Sequence, residues 1–334
     1  MRAAVIGSGA WGTALAIRLC GNGHQVTMWT HSAEKARWME HSRRCPRLPK
    51  AELPENMTIT ADPGCVAGCA LVVIATPSFP IRDVCRQIAP HLGKEAVMVS
   101  VTKCIENGTL MRMSEVVAQE TNRPVVVLTG PSHAEEVAFS IPTGLLAASP
   151  NQALAEMVQD AFMSDTLRVY TGSDPVGAEI GGAMKNVIAL CAGVSDGLGC
   201  GDNTKAMLMT RGLTEMARLG VSLGAHRDTF AGLSGVGDLI VTCTSMHSRN
   251  RRAGILLGQG KSVREAMTEV GAVVEGYYAA ESAWGLCQKM GVEMPILQAA
   301  YEVLYHDAPA RNAVGALMGR EQKSELELST WLMN

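Results

Sequence analysis

One short stretch limits the possible folds more than any other: Val5-Ile6-Gly7-Ser8-Gly9-Ala10-Trp11-Gly12, followed at once by Thr13-Ala14-Leu15-Ala16-Ile17-Arg18-Leu19. Val5 and Ile6 read as the end of a strand, and Thr13 to Leu19 as a helix. A G-x-G-x-x-G spacing between strand and helix specifies the first turn of a dinucleotide-binding sheet. Gly7 lets the chain turn sharply. Gly9 has no side chain to hold a pyrophosphate away. Gly12 lets the helix pack closely on the strand. The free N–H groups and dipole at the helix start attract negative charge. A dinucleotide is therefore expected here, held by Gly7, Gly9, Ala10, Trp11 and Gly12.

The rest of the first half supports that frame. Strand-like runs at 3–6, 25–29, 57–60, 71–75, 96–100 and 125–129 alternate with helical stretches, and 143–148 and 166–170 extend the series. Such alternation predicts an α/β, doubly wound, mostly parallel sheet of Rossmann type. Residues 45–54, punctuated by three prolines, read as a loop. After Gly172 strand-like runs nearly vanish, and 178–196, 203–223, 250–259, 262–270, 276–290 and 294–306 read as helices. The expected division is a dinucleotide-binding domain over 1–175 and a helical substrate-binding domain over 176–334. The polar stretch Arg320 to Glu327 reads as a surface helix or tail.

Bulk properties exclude several classes. A chain of 334 residues can bury two cores. A net charge of −3 gives no general affinity for polyanions, and Arg249-Asn250-Arg251-Arg252 is too short for a nucleic-acid patch. No apolar run is long enough to span a membrane. The first strand begins near Met1, so no signal peptide is expected and the protein is expected to be cytoplasmic. Ten cysteines are scattered without a C-x-x-C or Cys/His cluster, which argues for reduced thiols and no metal.

Ligands of a doubly wound sheet bind beyond the carboxyl ends of its strands. An NAD-selective site places a carboxylate there, about 20 residues after the glycines. Here the second strand ends in Trp29-Thr30-His31. No carboxylate repels a 2′-phosphate, and His31, Lys35 and Arg37 can attract one. NADP is expected to be accepted alongside NAD. The alternative for His31 is a surface residue capping the next helix.

Four features carry chemistry. Lys185 and Asn186 intrude into the mostly apolar helix Glu179 to Leu190. Burial lowers an ammonium's pKa toward the range of proton exchange, unless the head reaches water. Lys103 follows the 96–100 strand, where it points toward the nicotinamide end unless it is a solvated loop lysine. Asp238, in Gly235-Val236-Gly237-Asp238-Leu239, either orients the lysine or caps a helix. Ser248-Arg249-Asn250 opens a helix with positive charge, a conflict that a bound anion resolves; Arg251 and Arg252 read as a solvated basic face. A hydride carrier, two lysines, a carboxylate and an anion clamp suit hydride transfer to a small phosphorylated ketone, with lysine supplying the proton.

The sequence resembles the bacterial NAD(P)-dependent glycerol-3-phosphate dehydrogenases nearly end to end. The matching blocks are Gly7 to Leu15 (GxGxWGTAL), Lys103 to Glu106 (KGIE), Gly130 to Glu136 (GPSxAxE), Lys185-Asn186, Gly197 to Asn203 (GLGxGDN), Leu233 to Asn250 (LSGxGDL…TC…SRN) and Val273 to Gly276 (VVEG). The resemblance implies reduction of dihydroxyacetone phosphate to sn-glycerol 3-phosphate, a phospholipid precursor, by a cytoplasmic homodimer. It implies Lys185 as general acid and base. It implies substrate contacts from Lys103, Gly130, Ser132, Asp238, Ser248, Arg249 and Asn250. It implies dinucleotide contacts from Trp11, His31, Lys103, Ala134, Arg249, Val273 and Glu275. Ala10 stands where the family has serine, Cys104 where it has glycine, and His133 where phenylalanine is typical. The Cys104 side chain is expected near the nicotinamide. A 3-hydroxyacid dehydrogenase of the 6-phosphogluconate type is the enzymatic alternative, but the serine/glycine-rich segment it requires is missing. A dinucleotide-sensing module would have no use for Lys185.

Overall fold

The computed structural model describes residues 1–322, 324 and 325. The expected surface helix at Arg320 to Glu327 lies partly outside them. The first half runs β1 (Arg2–Ile6), α1 (Ala10–Gly21), β2 (Gln25–Trp29), α2 (Ala33–Ser42), β3 (Arg44–Cys45), β4 (Leu48–Glu52), β5 (Met57–Thr60), β6 (Leu71–Ile74), α3 (Ile81–Ile88), β7 (Val97–Ser100), α4 (Met113–Thr121), β8 (Val125–Thr129), α5 (Ala134–Ala138), β9 (Thr143–Ala148), α6 (Gln152–Phe162) and β10 (Leu167–Gly172). Eight strands form one sheet in the order β10-β9-β8-β7-β6-β1-β2-β5. Neighbours are parallel except β8 and β9, so the last two strands run opposite to the others. The central strands β6 and β7 are buried at every position and read Leu-Val-Val-Ile and Val-Met-Val-Ser, as a sheet covered on both faces requires.

The proline-punctuated loop proves to contain a small antiparallel hairpin, β3 with β4. Its prolines, Pro46 and Pro49, sit at the tip and on exposed edge positions, where no ladder N–H is lost. Cys45 and Leu48 anchor it to the core beneath α1.

The second half is helical: α7 (Pro175–Gly197), α8 (Asp202–Ser222), α9 (Asp238–Thr244), α10 (Arg249–Gly258), α11 (Val263–Val270), α12 (Glu275–Met290), α13 (Pro295–Tyr305) and α14 (Ala310–Met318). α7 is the axis, buried from Gly177 to Leu190 without interruption. A helix buried all round must be approached from every side, and small residues permit it. Cβ atoms at Gly193 and Gly197 would stand 2.1 and 2.2 Å from the Arg251 and Ile255 carbonyl oxygens of α10. Cβ atoms at Gly254 and Gly258 would stand 2.0 and 2.4 Å from those of Leu190 and Val194 on α7. The two helices therefore touch backbone to backbone along four glycines. That contact fixes the start of α10 beside Lys185.

Candidate active site

Sheet order reverses between β1 and β6, and the turns after these strands are in contact. Gly7 has φ of +127°, and a Cβ there would lie 2.4 Å from the Ala75 carbonyl oxygen. A Cβ at Gly12 would lie 2.2 Å from the Gly7 carbonyl oxygen. A Cβ at Gly9, by contrast, would meet no protein atom within 4 Å. Gly7 and Gly12 are glycine because the protein leaves no room, whereas Gly9 is glycine where the protein leaves space. Gly9 also caps α1 without a side chain, so no side chain of the cap residue competes for the first-turn N–H groups. The Trp11 Nε1 is buried nearby and has no hydrogen-bond partner among the described residues. These residues fit a dinucleotide pyrophosphate.

A cleft of about 630 Å³ opens from this turn toward the helical half. One wall carries Gly9, Ala10, Trp11, Thr76, Thr102, Lys103, Ser132, His133 and Ala134; the other carries Lys185, Thr242, His247, Ser248, Arg249, Asn250, Val273 and Glu275. Most of the residues singled out from sequence thus meet in one space.

At its floor, Asp238 bridges two lysines. Lys185 Nζ donates to Asp238 Oδ1 at 2.6 Å and to Thr242 Oγ1 at 2.9 Å. Lys103 Nζ donates to Asp238 Oδ2 at 2.7 Å and to the Gly130 carbonyl at 2.9 Å. Lys185 is 7% exposed, so its head does not snorkel to open water. Burial, partly offset by Asp238 and reinforced by Lys103, brings its pKa down to about 8. Burial alone would raise the Asp238 carboxyl; Lys103 and Lys185 outweigh it and hold the group below its usual range. The N-cap alternative for Asp238 is not realised. It is the first residue of α9, Gly237 is the cap, and the carboxylate turns to the lysines. Leu233–Gly237 forms a π-helical turn that presses on α7, where a Cβ at Gly181 would be 2.4 Å from the Ser234 carbonyl oxygen.

The clamp region is more tied down than the sequence implied. Ser248 caps α10, its hydroxyl accepting from Arg251 N–H. Asn250 donates from Nδ2 to Asn186 Oδ1 at 2.9 Å, and its Oδ1 accepts from Gly276 N–H at 2.8 Å. Asn186 in turn donates to Glu275 at 3.4 Å. Asn250 thus locks α7, α10 and α12 together and has one N–H left over. Arg249 is exposed along the cleft. Arg251 is no solvated residue: it forms ion pairs with Asp196 of α7 at 2.8 and 2.9 Å.

Three sequence expectations need amendment or placement. Cys104, four residues past the end of β7, is buried in the apolar layer with Ile74, Ile81 and Met98 rather than lining the cleft. Burial pushes its thiol up to about 11. His31 is exposed at the carboxyl end of β2, and Ser32, not His31, caps α2 by accepting from Lys35 N–H. Lys35 Nζ is engaged by Ser8, to its hydroxyl at 2.8 Å and its carbonyl at 3.1 Å.

Sequence reading passed over Glu179, Arg47 and His247. Glu179 is buried and accepts from Arg112, from Ser114 N–H and from the Ser114 hydroxyl at 2.6–2.8 Å. Burial raises its carboxyl despite Arg112. It clips the connection that bears Lys103 to the helix that bears Lys185. The signal was present: Glu179 interrupts the same apolar run as Lys185. Arg47, on the hairpin tip, lines the cleft mouth near Gly9.

Comparison with known proteins agrees with this geometry. The family model described as NAD-dependent glycerol-3-phosphate dehydrogenase N-terminus matches residues 2–155, and its C-terminus counterpart matches residues 174–315. The chain belongs to that family. Glycerol-3-phosphate dehydrogenase [NAD(P)+] of Thermoanaerobacter sp. (strain X514) is 49% identical over 327 residues, covering 98% of this chain and 99% of that protein. The Geobacillus kaustophilus protein of the same name is 50% identical over 331 residues, covering 97% and 96%. The crystal structure of glycerol-3-phosphate dehydrogenase from Coxiella burnetii superposes with a TM-score of 0.91 at 35% identity, covering 96% of this chain and 99% of that one. Among the described residues there is no group of three or more His, Cys, Asp or Glu able to hold a metal, and no helix long and apolar enough to cross a membrane.

Proposed function

We propose that this chain is an NAD(P)-dependent sn-glycerol-3-phosphate dehydrogenase that reduces dihydroxyacetone phosphate for glycerophospholipid synthesis. The observation that carries the reading is the single cleft in which a glycine turn open to ligand, the Lys185–Asp238–Lys103 bridge and the start of α10 converge. Family membership and the names of its near relatives support it.

A bound reduced nicotinamide supplies the hydride. The chain does the rest. Arg249, the N–H groups at the start of α10 and the Ser248 hydroxyl hold the phosphate end. Lys103, Gly130 and Ser132 hold the hydroxyketone end from the opposite wall. As negative charge grows on the carbonyl oxygen, the Lys185 ammonium stabilises it and then transfers a proton from Nζ to that oxygen. In the reverse direction the neutral amine takes the proton back. Asp238 and Thr242 fix where Nζ stands, and two ammoniums against one carboxylate leave the empty floor positive, which favours an anionic substrate.

The same reading assigns the dinucleotide to Gly7 through Gly12, His31, Lys103, Ala134, Arg249, Val273 and Glu275. No carboxylate stands at the end of β2 to exclude a 2′-phosphate, so both NADPH and NADH serve. The division into units 1–175 and 176–334, a cytoplasmic location and a homodimer complete the proposal. The test is oxidation of NADPH or NADH on addition of dihydroxyacetone phosphate to purified, folded protein. Turnover is expected with at least one cofactor; none with either would reject the assignment.

A further inference from the structure

Two histidines face each other across the cleft with no part in the scheme above. His133 comes from the turn between β8 and α5, directly after Ser132. His247 comes from the turn between α9 and α10, directly before Ser248. Their ring centroids are 5.5 Å apart and the planes are inclined by 54°. Both rings line the same cavity as Lys185 and Arg249. Among the described residues the His133 Nε2 has no hydrogen-bond partner; it is shut off from water as it stands, and a turn of the ring brings it to the cleft.

A buried polar nitrogen without a partner costs about 1–3 kcal/mol, and native structures rarely leave one without a use. The surroundings of this one are those of an anion site. On its own element stand Glu135 and Glu136; His247 faces it, the Lys185 charge reaches it, and Arg249 and Glu275 line the same cleft. It lines the same cleft as Lys185 and the start of α10, where the reading above puts the phosphate end of a three-carbon ester. We infer that His133 is a substrate-positioning residue whose Nε2–H donates to the phosphoryl group, with His247 closing on the same group from the opposite wall. The inference rests on reading the start of α10 as the phosphate clamp.

Burial, the Lys185 and His247 charges lowering it further against Glu136 and Glu135, keeps His133 below the usual imidazole range, so it is neutral at pH 7 in the free enzyme. A phosphate dianion beside it favours the imidazolium. Substrate binding therefore takes up protons, and affinity falls as pH rises above the lowered value of the free imidazole.

The test compares His133→Phe, His133→Gln, His247→Gln and Arg249→Ala with the wild type. Three readouts are used: KM for dihydroxyacetone phosphate, NADH affinity by fluorescence, and calorimetry of sn-glycerol 3-phosphate binding in buffers of different ionisation enthalpy. His133→Phe is expected to raise KM about tenfold or more, since a hydrogen bond to a charged group is lost. kcat and NADH affinity should hold within about threefold, and the proton uptake should shrink to the share carried by Lys185. His133→Gln restores a donor and should recover part of the KM loss without restoring the lost proton uptake. If both His133 variants keep wild-type KM and proton uptake while Arg249→Ala raises KM, the inference is overturned and the clamp stands. If Arg249→Ala also leaves KM unchanged, the clamp reading fails with it. A loss of NADH affinity instead of substrate affinity would move His133 to the cofactor and overturn the proposal.

Discussion

The two walls of the cleft are built in different materials. The cofactor wall is largely backbone: a glycine left bare, a helix start left uncapped, carbonyls and amides at strand ends. The substrate wall is largely side chain: an ammonium, a carboxylate, a hydroxyl and a guanidinium held by helices that press on one another. Glycine serves both, with opposite results. At Gly9 it leaves space for a ligand; at Gly193, Gly197, Gly254 and Gly258 it removes the space between two helices. A backbone-built site leaves a fixed motif in the sequence. A side-chain-built site depends on contacts between residues far apart in the chain.

That contrast can be tested from its strongest consequence down. Lys185→Ala should lower kcat by about 10²–10⁴ while NADH affinity measured by fluorescence stays close to wild type. The pH dependence should follow the amine. Ketone reduction needs the ammonium and declines as pH rises through about 8, while glycerol 3-phosphate oxidation needs the free amine and climbs over the same interval. Matching profiles in both directions, or retained kcat, would place the proton donor elsewhere.

Next in size is Glu179→Ala, which takes one of two carboxylates from Arg112 and the buried acceptor from the Ser114 N–H and hydroxyl. A loss of about 1–3 kcal/mol in urea unfolding is expected, as for buried donors deprived of their acceptor. Stability unchanged would mean that the two walls are not clipped together there. Arg249→Ala should raise KM for dihydroxyacetone phosphate about tenfold or more with a smaller loss of cofactor affinity, from steady-state kinetics.

The smallest test compares the two uses of glycine directly. Gly254→Ala should cost about 1–3 kcal/mol or more in thermal unfolding, because its methyl meets backbone that cannot move aside. Gly9→Ala should leave the melting temperature nearly unchanged and weaken the dinucleotide instead. Equal effects on stability would erase the distinction between the walls.

The same division explains what could be read from sequence. The strands of the sheet were legible almost residue by residue, since Leu71 to Ile74 and Val125 to Thr129 are apolar runs bounded by turns. The hairpin around Cys45 and Leu48 was not, because prolines at its tip and edge look like a loop until the edge is seen to face away from any partner strand. Lys185 was visible as a misfit in an apolar helix. Glu179 carried the same signal but lacked a family motif to draw attention to it. The role of Asp238 was undecidable locally: only the fold brings residue 103 and residue 185 to its two oxygens.

The glycine seam between α7 and α10 has a mechanical consequence. With no side chains to slide over, the helix that holds the proton donor and the helix that begins with the anion grip behave as one solid part. The seam holds the backbone at Lys185 and at Arg249 a set distance apart, while the exposed Arg249 side chain keeps its own freedom to reach a ligand. The backbone frame from which the two groups reach their substrate is therefore set by four missing methyl groups.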